Sequence, residues 1–364
     1  MITLQYILNY GSVLQTYATQ EKLRQMGHEV EVVNYTRENC RFRYAKKREL
    51  ITNQRWNKNY LTRILFTLKW NSMRLMQSFA FYPFVKKHIN QTRKYRFREE
   101  LILEPPQADI YCTGSDQTWN SKYNGGIAPE YYLEYAPPGK KRIALAASFG
   151  RECLGQDERL CTAPWIQKYA AISTREQSGV HILAEMGYET GVCVLDPTLM
   201  LTSRDWEILC KKNKRKKKYV LIYQLDNRNI DLSRFAKKIS EDLSIDLIRI
   251  TTSPKSIFME GKQALFPKIE VFLTLFRDAE YVVTDSFHGT AFSLNFGRQV
   301  FVFYPKQFSE RLHSILSTVD SLYRVVVDST VDWKTIPPID YKMTNRILDE
   351  ERNKATQFIF ENFN

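Results

Sequence analysis

Short apolar runs recur along the chain, each followed by a stretch with helical spacing. Thr3–Leu8, Glu29–Asn34, Asp109–Thr113, Arg142–Ala147, Ala170–Ser173 and Val192–Leu195 read as strands. Between the first two, Asn9–Ser12 reads as a loop and Val13–Met26 as a helix. Gly27 stands where a helix ends in the left-handed conformation. Asp196-Pro197-Thr198 interrupts the series, and a helix is expected around Asp205–Lys211. A second series starts at Tyr219: strand Tyr219–Gln224, helix Ile230–Leu243, strand Asp246–Ile250, helix Ile269–Phe276, strand Tyr281–Thr284, helix His288–Phe296 and strand Gln299–Phe303.

Strands alternating with helices predict α/β layers built on parallel sheets. The restart predicts two Rossmann-like, doubly wound domains facing a cleft, over residues 1–200 and 201–344. A last helix over 345–364 is expected to pack back on the first. Ligands are expected at the carboxyl ends of the strands.

Composition narrows the class. The 364 residues are 43% hydrophobic and 26% charged, which excludes a disordered or fibrous chain. No apolar run approaches the roughly 18 residues of a membrane span. The start MITLQYILNYG has neither a basic segment nor a small-residue cleavage site, so a cytoplasmic location is expected. The six cysteines form no CxxC pair and histidines number five, so no metal site is expected.

The net charge of +13 is uneven. Residues 41–98 hold sixteen Lys/Arg against one acid, Glu49, together with twelve aromatics. This stretch reads as a helical insertion, either packing its aromatics on the core or lying on anionic lipid at the inner face of the cell membrane. Nucleic-acid binding ranks third, because no recognisable module surrounds it. The run 211–218 (KKNKRKKK) reads as an exposed basic loop.

Four segments carry candidate chemistry. Thr284-Asp285-Ser286-Phe287-His288-Gly289-Thr290 follows a strand and opens a helix. A helix N-terminus favours an anion, Gly289 permits close backbone approach, and His288 is placed to donate to an anion or shuttle a proton. In Ile172-Ser173-Thr174-Arg175-Glu176 a guanidinium at a strand end can clamp a carboxylate or phosphate, against the plainer reading of an Arg175–Glu176 surface pair. Cys112-Thr113-Gly114-Ser115-Asp116-Gln117 offers Asp116 as a proton acceptor, or as an Asx turn. Asn9, Tyr10 and Gln15 are candidates for hydroxyl groups, with Gln15 equally readable as a buried helix residue. Arg311 adds a second cation or only decorates its helix; His313 is read as structural.

Together NYGSVLQTYATQEKLRQMGHEVEVVNY, YCTGSDQTWN, RIALAASFG, ISTREQSG, VLDPTLMLTSRDW and YVVTDSFHGTAFSLNFG resemble the polysaccharide pyruvyltransferases, in that family's order. The resemblance implies a fold like the two-domain GT-B glycosyltransferases. It implies transfer of pyruvate from phosphoenolpyruvate to two hydroxyls of one sugar, giving a cyclic ketal, in surface or capsular polysaccharide biosynthesis, with no further cofactor. His288 and Arg175 match the family's donor-binding histidine and arginine. Many members carry an arginine two places before that histidine, where this chain has Ser286; Arg311 or Lys306 is the expected substitute. The segment before Asn9 is shorter than usual, so a truncated first strand is expected. The expected catalytic set is His288, Asp116 and Arg175. Donor contacts are expected from Arg175, Ser286, His288, Gly289, Thr290 and Arg311. A saccharide acceptor, lipid-linked, is expected to meet Asn9, Tyr10, Gln15, Ser115 and Gln117. The alternative on the same fold is a glycosyltransferase using a nucleotide sugar.

Overall fold

The computed structural model describes all residues except 53–55, 213–216, 227, 253–257 and 306–308. Its strands are β1 (Val32–Tyr35), β2 (Gln91–Tyr95), β3 (Ile110–Thr113), β4 (Lys141–Ala147), β5 (Ala171–Thr174), β6 (Val192–Cys193), β7 (Tyr219–Tyr223), β8 (Asp246–Thr251), β9 (Lys262–Leu265), β10 (Tyr281–Thr284) and β11 (Gln299–Val302). Among the described residues these strands pair in parallel. In the first half β1 pairs with β2, and β3-β4-β5-β6 form a four-stranded sheet; in the second half the order is β11-β10-β7-β8-β9.

Residues 1–3 knit the first two sheets together. Val33 N donates to Met1 O (2.8 Å), Ile2 N donates to Cys112 O (2.8 Å), and Gly114 N donates to Ile2 O (2.9 Å). Counting this short segment as the centre, the first half has the doubly wound order, with the chain leaving in both directions from the middle. The expected strand Thr3–Leu8 is corrected: pairing stops at Ile2, and residues 4–7 turn. Its apolar residues fill the core instead, with Leu4 and Leu8 buried. The loop expected over Asn9–Ser12 is shorter too. Asn9 accepts from Ser12 N (2.7 Å) and caps a helix that already begins at Tyr10. That helix, Tyr10–Gln25, ends before Gly27, which has φ +92°.

Two strands escaped the apolar pattern. β9 (KQAL) and β2 (QTRKY) are edge strands with few buried positions, so alternation alone does not mark them. β2 also corrects the reading of 41–98 as helical throughout. The insertion holds helices Phe42–Thr52 and Tyr60–His88 and then returns to the sheet. The long helix is closed at its start by a reciprocal Asn59–Thr62 cap and carries Lys86, Lys87 and His88 in its last turn, complementing the helix dipole. Among the described residues, no helix is long and apolar enough to cross a membrane. The helix near residue 205 is a short Ser203–Glu207. Of the basic run 211–218, Asn213–Lys216 lie outside the described residues.

One apolar cluster runs through both halves. Tyr10 lies flat on Phe272 (4.0 Å between centroids, 6° between planes) and against Phe81 (4.8 Å), while its hydroxyl donates to Pro267 O (2.6 Å). Asn295 Nδ2 donates to Thr198 O (3.0 Å) and Leu201 O (2.8 Å). The C-terminal helix Tyr341–Asn362 reaches the first half through Arg352 Nε, which donates to Leu199 O (2.9 Å), and Phe363 packs on His28. These contacts fix the carboxyl ends of the two sheets against one another.

Candidate active site

Strand ends from both halves converge on Arg175, which follows β5 directly. Its guanidinium has no solvent exposure. Nη1 donates to Asp196 Oδ2 at 2.8 Å; Nη2 lies 3.5 Å from Asp116 Oδ1 and Nε 3.6 Å from Glu176 Oε2. Three carboxylates from three chain segments therefore surround one cation. Burial alone would drive the guanidinium to lose its proton, but the three acids outweigh that and hold Arg175 firmly charged. The surface Arg175–Glu176 pair weighed from the sequence is instead fully buried.

Each acid is fixed by further bonds. Burial raises the proton affinity of Asp196, yet Arg175 and the Thr198 donors hold it down at about 2. Thr198 N and Oγ1 donate to Asp196 Oδ1 (2.9 and 2.7 Å), and Ser115 Oγ donates to Oδ2 (3.1 Å). Asp116 accepts from Ser12 Oγ (2.5 Å) and from Gln117 N (2.8 Å). Burial opposes its charge, and Arg175 and Ser12 still keep its carboxyl below the usual range. The backbone here is strained: Asp116 has φ +82° and Ala146 +53°, and Asp116 bridges Ala147 at the end of β4. Non-glycine residues in that region cost about 1–3 kcal/mol each and gather where a site demands a given side-chain position.

His288 approaches from the second half. Ser286 caps the helix Phe287–Asn295, accepting from Gly289 N (3.3 Å), so His288 sits in its first turn. The imidazole presses on the backbone of Gly11. A Cβ at Gly11 would lie 2.3 Å from His288 Nδ1, so only glycine leaves room for this ring position. His288 Nε2 is buried without a hydrogen-bond partner. Burial lowers its pKa to about 4; Asp196 counteracts this, while Arg175 adds to it. The free site therefore holds a neutral histidine at pH 7.

Arg311 completes the group. Its Cζ lies 5.6 Å from the centre of the Phe287 ring, and Arg175 lies 5.4 Å from the same ring. Arg311 Nε is buried without a partner, and among the described residues no carboxylate pairs with this guanidinium within 4 Å. Burial and the neighbouring Arg175 lower its pKa to about 10. Arg175 retains two nitrogens without a hydrogen bond, but carboxylates lie within 4 Å of it; Arg311 feels the same three acids only from further away.

The remaining expected contacts fall elsewhere. Gln15 is fully buried and donates to Thr3 Oγ1 (2.9 Å) and Ser12 O (3.0 Å); Tyr10 is closed into the contact between halves. Neither presents a surface to an acceptor. Gly289 packs on the sheet, where a Cβ would lie 2.4 Å from Thr284 Oγ1, and Thr290 Oγ1 donates to Ser286 O (3.1 Å). Gly289 thus serves helix–strand packing rather than close approach of a ligand. Gln117 Oε1 accepts from Asn120 Nδ2 (2.6 Å), Ser115 supports Asp196, and Asn9 caps its helix. His313 Nδ1 meets Tyr304 OH at 3.3 Å, and Lys306 lies outside the described residues. The sequence reading missed Gly11, Ser12, Glu176 and Asp196. Asp196-Pro197-Thr198 was visible as punctuation, but its service to Arg175 requires a partner 21 residues away.

Among the described residues no group of His, Cys, Asp and Glu has the layout to hold a metal ion. A buried imidazole and a buried guanidinium, each with a nitrogen that has no hydrogen-bond partner, thus lie with a hydrogen-bonded carboxylate where the two halves meet. The chain belongs to the polysaccharide pyruvyl transferase family, whose model matches residues 9–307, and it is a transferase enzyme. None of the curated proteins compared with it matches. In fold it is similar to a UDP-N-acetylglucosamine 2-epimerase from Rickettsia bellii (11% identity, covering 96% of this chain and 93% of that one, TM-score 0.46). It is also similar to an S. aureus MnaA–UDP co-structure (12%, 98% and 89%, 0.47) and to a UDP-GlcNAc 2-epimerase from Neisseria meningitidis bound to UDP-GlcNAc (10%, 98% and 97%, 0.46).

Proposed function

We propose that the protein transfers pyruvate from phosphoenolpyruvate to two hydroxyls of one sugar on a lipid-linked oligosaccharide, for surface or capsular polysaccharide, at the cytoplasmic face of the membrane. The observation that carries this reading is the pair of unpartnered groups, His288 Nε2 and Arg311 Nε, buried at the meeting of the two halves. Arg311 holds the donor's negative oxygens, and the helix start at His288 adds its dipole. Arg175 is a positioning residue that fixes Asp116 and Asp196.

The chemistry follows from the charges. The three carboxylates outnumber the two guanidiniums, so an arriving dianion needs a further positive charge. His288 supplies it by taking up a proton as the donor binds, since nearby negative charge raises its proton affinity. The imidazolium then gives that proton to the methylene carbon of phosphoenolpyruvate, leaving an oxocarbenium centre at the carbon bearing phosphate. One sugar oxygen bonds to this carbon, phosphate departs with its bridging oxygen, and the second sugar oxygen closes the ring. Of the two hydroxyl protons, one returns to His288 and the other leaves on the departing phosphate, so the site ends as it began. Asp116, with low proton affinity, suits the removal of a proton that becomes acidic only as the C–O bond forms.

Calorimetric titration with phosphoenolpyruvate in buffers of different ionisation enthalpy tests this. Wild type should take up about one proton more than His288→Gln on binding. His288→Gln should also lose on the order of 10²–10⁴-fold in phosphate release with a saccharide acceptor. Equal proton uptake, full turnover in the variant, or consumption of a nucleotide sugar in place of phosphoenolpyruvate overturns the reading.

A further inference from the structure

A large cavity lies away from His288. It is a groove of about 2120 Å³ between the helical insertion and the edge of the first sheet. Eight lysines and arginines line it, including Arg41, Arg43, Arg74, Lys86, Lys87 and Lys94, and no aspartate or glutamate does. Of the eight, among the described residues, Arg24 has a carboxylate partner, Glu21, and the other seven have none within 4 Å. Cations left unpaired around one cavity make a site for an anion.

The groove does not end in water. Leu75, Phe79 and Tyr82 line it and also belong to a stripe along the helix Tyr60–His88. Leu61, Leu65, Leu68, Leu75, Phe79 and Tyr82 follow spacings of three and four, with Ser72 filling the gap. They occupy one face of the helix. The opposite face packs Phe66, Ala80, Phe81 and Phe84 inward. The stripe is open, with Leu61 70% and Phe79 66% exposed, over roughly 30 Å of helix. Large contiguous apolar surface of this kind marks an interaction site.

Charge selects the occupant. The helix carries Arg63, Lys69, Arg74, Lys86 and Lys87 and no acid. A second copy on the same stripe would bring like charges together with no carboxylate on either helix to offset them. A nucleic acid would use the cations but not the long aliphatic stripe. An anionic bilayer satisfies both features: leucines enter the headgroup boundary while lysines and arginines meet phosphates.

We propose that the stripe lies in the interface of an anionic membrane and that the groove at its end binds the phosphate head of a lipid seated in that membrane. The proposal goes beyond the transfer reaction. It rests on the proposed lipid-linked acceptor only for what the lipid carries, and vesicle binding tests it with neither donor nor acceptor present.

The test is co-sedimentation of the full chain with phosphatidylcholine vesicles, with and without phosphatidylglycerol. Wild type should sediment with the anionic vesicles, be released by salt, and leave neutral vesicles unbound. Leu68→Asp combined with Leu75→Asp, and separately Arg74→Gln, Lys86→Gln and Lys87→Gln together, should each weaken association by at least about tenfold. Circular dichroism should show both proteins folded, and turnover of a water-soluble saccharide acceptor should stay at the wild-type level. Vesicle binding unchanged in both variants, absence of binding in wild type, a stripe-dependent dimer in solution, or preference for an oligonucleotide over the vesicles each overturns it. Loss of turnover without loss of vesicle binding would strike the transfer reading alone.

Discussion

In the cleft, Arg175 touches three carboxylates drawn from three segments of chain; along the helix Tyr60–His88, five cations have no acid on their own helix. Both regions are rich in arginine and aromatic rings, yet one is closed and the other open. The closed region bonds most of its polar groups internally, and the atoms left over, among them His288 Nε2, Arg311 Nε, Arg175 Nε and Nη2 and Glu176 Oε2, belong to one compact cluster of a size to meet one small ligand. The open region leaves a whole face unused and points to an extended surface. Counting charges along the chain ranks the two wrongly: the insertion stands out, while the cleft looks like scattered loops.

If the contrast is real, removing a cation should matter far more in one place than in the other. Arg175→Met leaves Asp116, Glu176 and Asp196 buried without their counter-charge. Breaking such a cluster from one side costs about 3–5 kcal/mol. Arg74→Met, on the open helix, should stay within about 0.5 kcal/mol of wild type. Urea unfolding of both variants at neutral pH measures the difference. Equal stabilities would mean that the cleft acids carry no charge, and the distinction between the regions would be lost.

The two regions were also unequally legible in the sequence. In the second half, Tyr281–Thr284 and Ile230–Leu243 were read with the bounds the structure gives, because an apolar strand and a sharply two-faced helix need no long-range information. The helix at His288 starts one residue earlier than read, since Ser286 caps it. The first strand failed because Leu4 and Leu8 serve the core from irregular backbone, while the pairing belongs to Met1 and Ile2. Pattern reports burial, not hydrogen bonding. At the site, His288, Arg175 and Asp116 were visible as polar residues at strand ends. Glu176, Asp196 and Ser12 were not, because their importance lies in whom they meet. Ser12 and Asp116 are 104 positions apart, and local spacing carries no trace of such a pair. The insertion was legible in the opposite sense: its charge and aromatics were plain, but its return to the sheet at β2 was hidden in a polar edge strand.

Acid should dissect the cleft next. The His288 pKa, lowered mainly by burial to about 4 from an ordinary 6.5, means that the unfolded chain binds the proton more readily than the folded one. The stability this neutral histidine contributes is therefore fully present above pH 6.5 and is lost as the pH falls towards 4. Over that window the loss amounts to roughly 3 kcal/mol. The contribution of Asp196 is lost only lower, below about pH 3.8 as the pH falls towards 2. His288→Gln should flatten the dependence between pH 6.5 and 4 and leave the lower limb. Chemical denaturation at half-unit steps separates the two; an unchanged slope in the variant would place the titration elsewhere.

The smallest expected effect on stability sharpens the comparison most. Gly11→Ala adds one methyl group to the first turn of the helix Tyr10–Gln25. Inside a helix, alanine is favoured over glycine by about 1 kcal/mol. Here the new Cβ would lie 2.3 Å from Nδ1 and 2.5 Å from Cε1 of His288, so the imidazole must swing away or the two halves must part slightly. Overpacking of this kind costs about 1–3 kcal/mol, and the gain in helix propensity offsets part of it. The net change in unfolding free energy should be a loss of at most about 2 kcal/mol. Turnover should fall far more steeply, because His288 Nε2 leaves its place beside Arg311 and Asp116, and displacements of about 1 Å can cost 10²-fold. A methyl group on the open helix, such as Ser72→Thr, should alter neither property. Measuring unfolding and phosphate release on the same preparations decides the matter. A Gly11→Ala protein with undiminished turnover would show that the imidazole need not rest on that backbone for catalysis, and His288 would lose its part in the transfer.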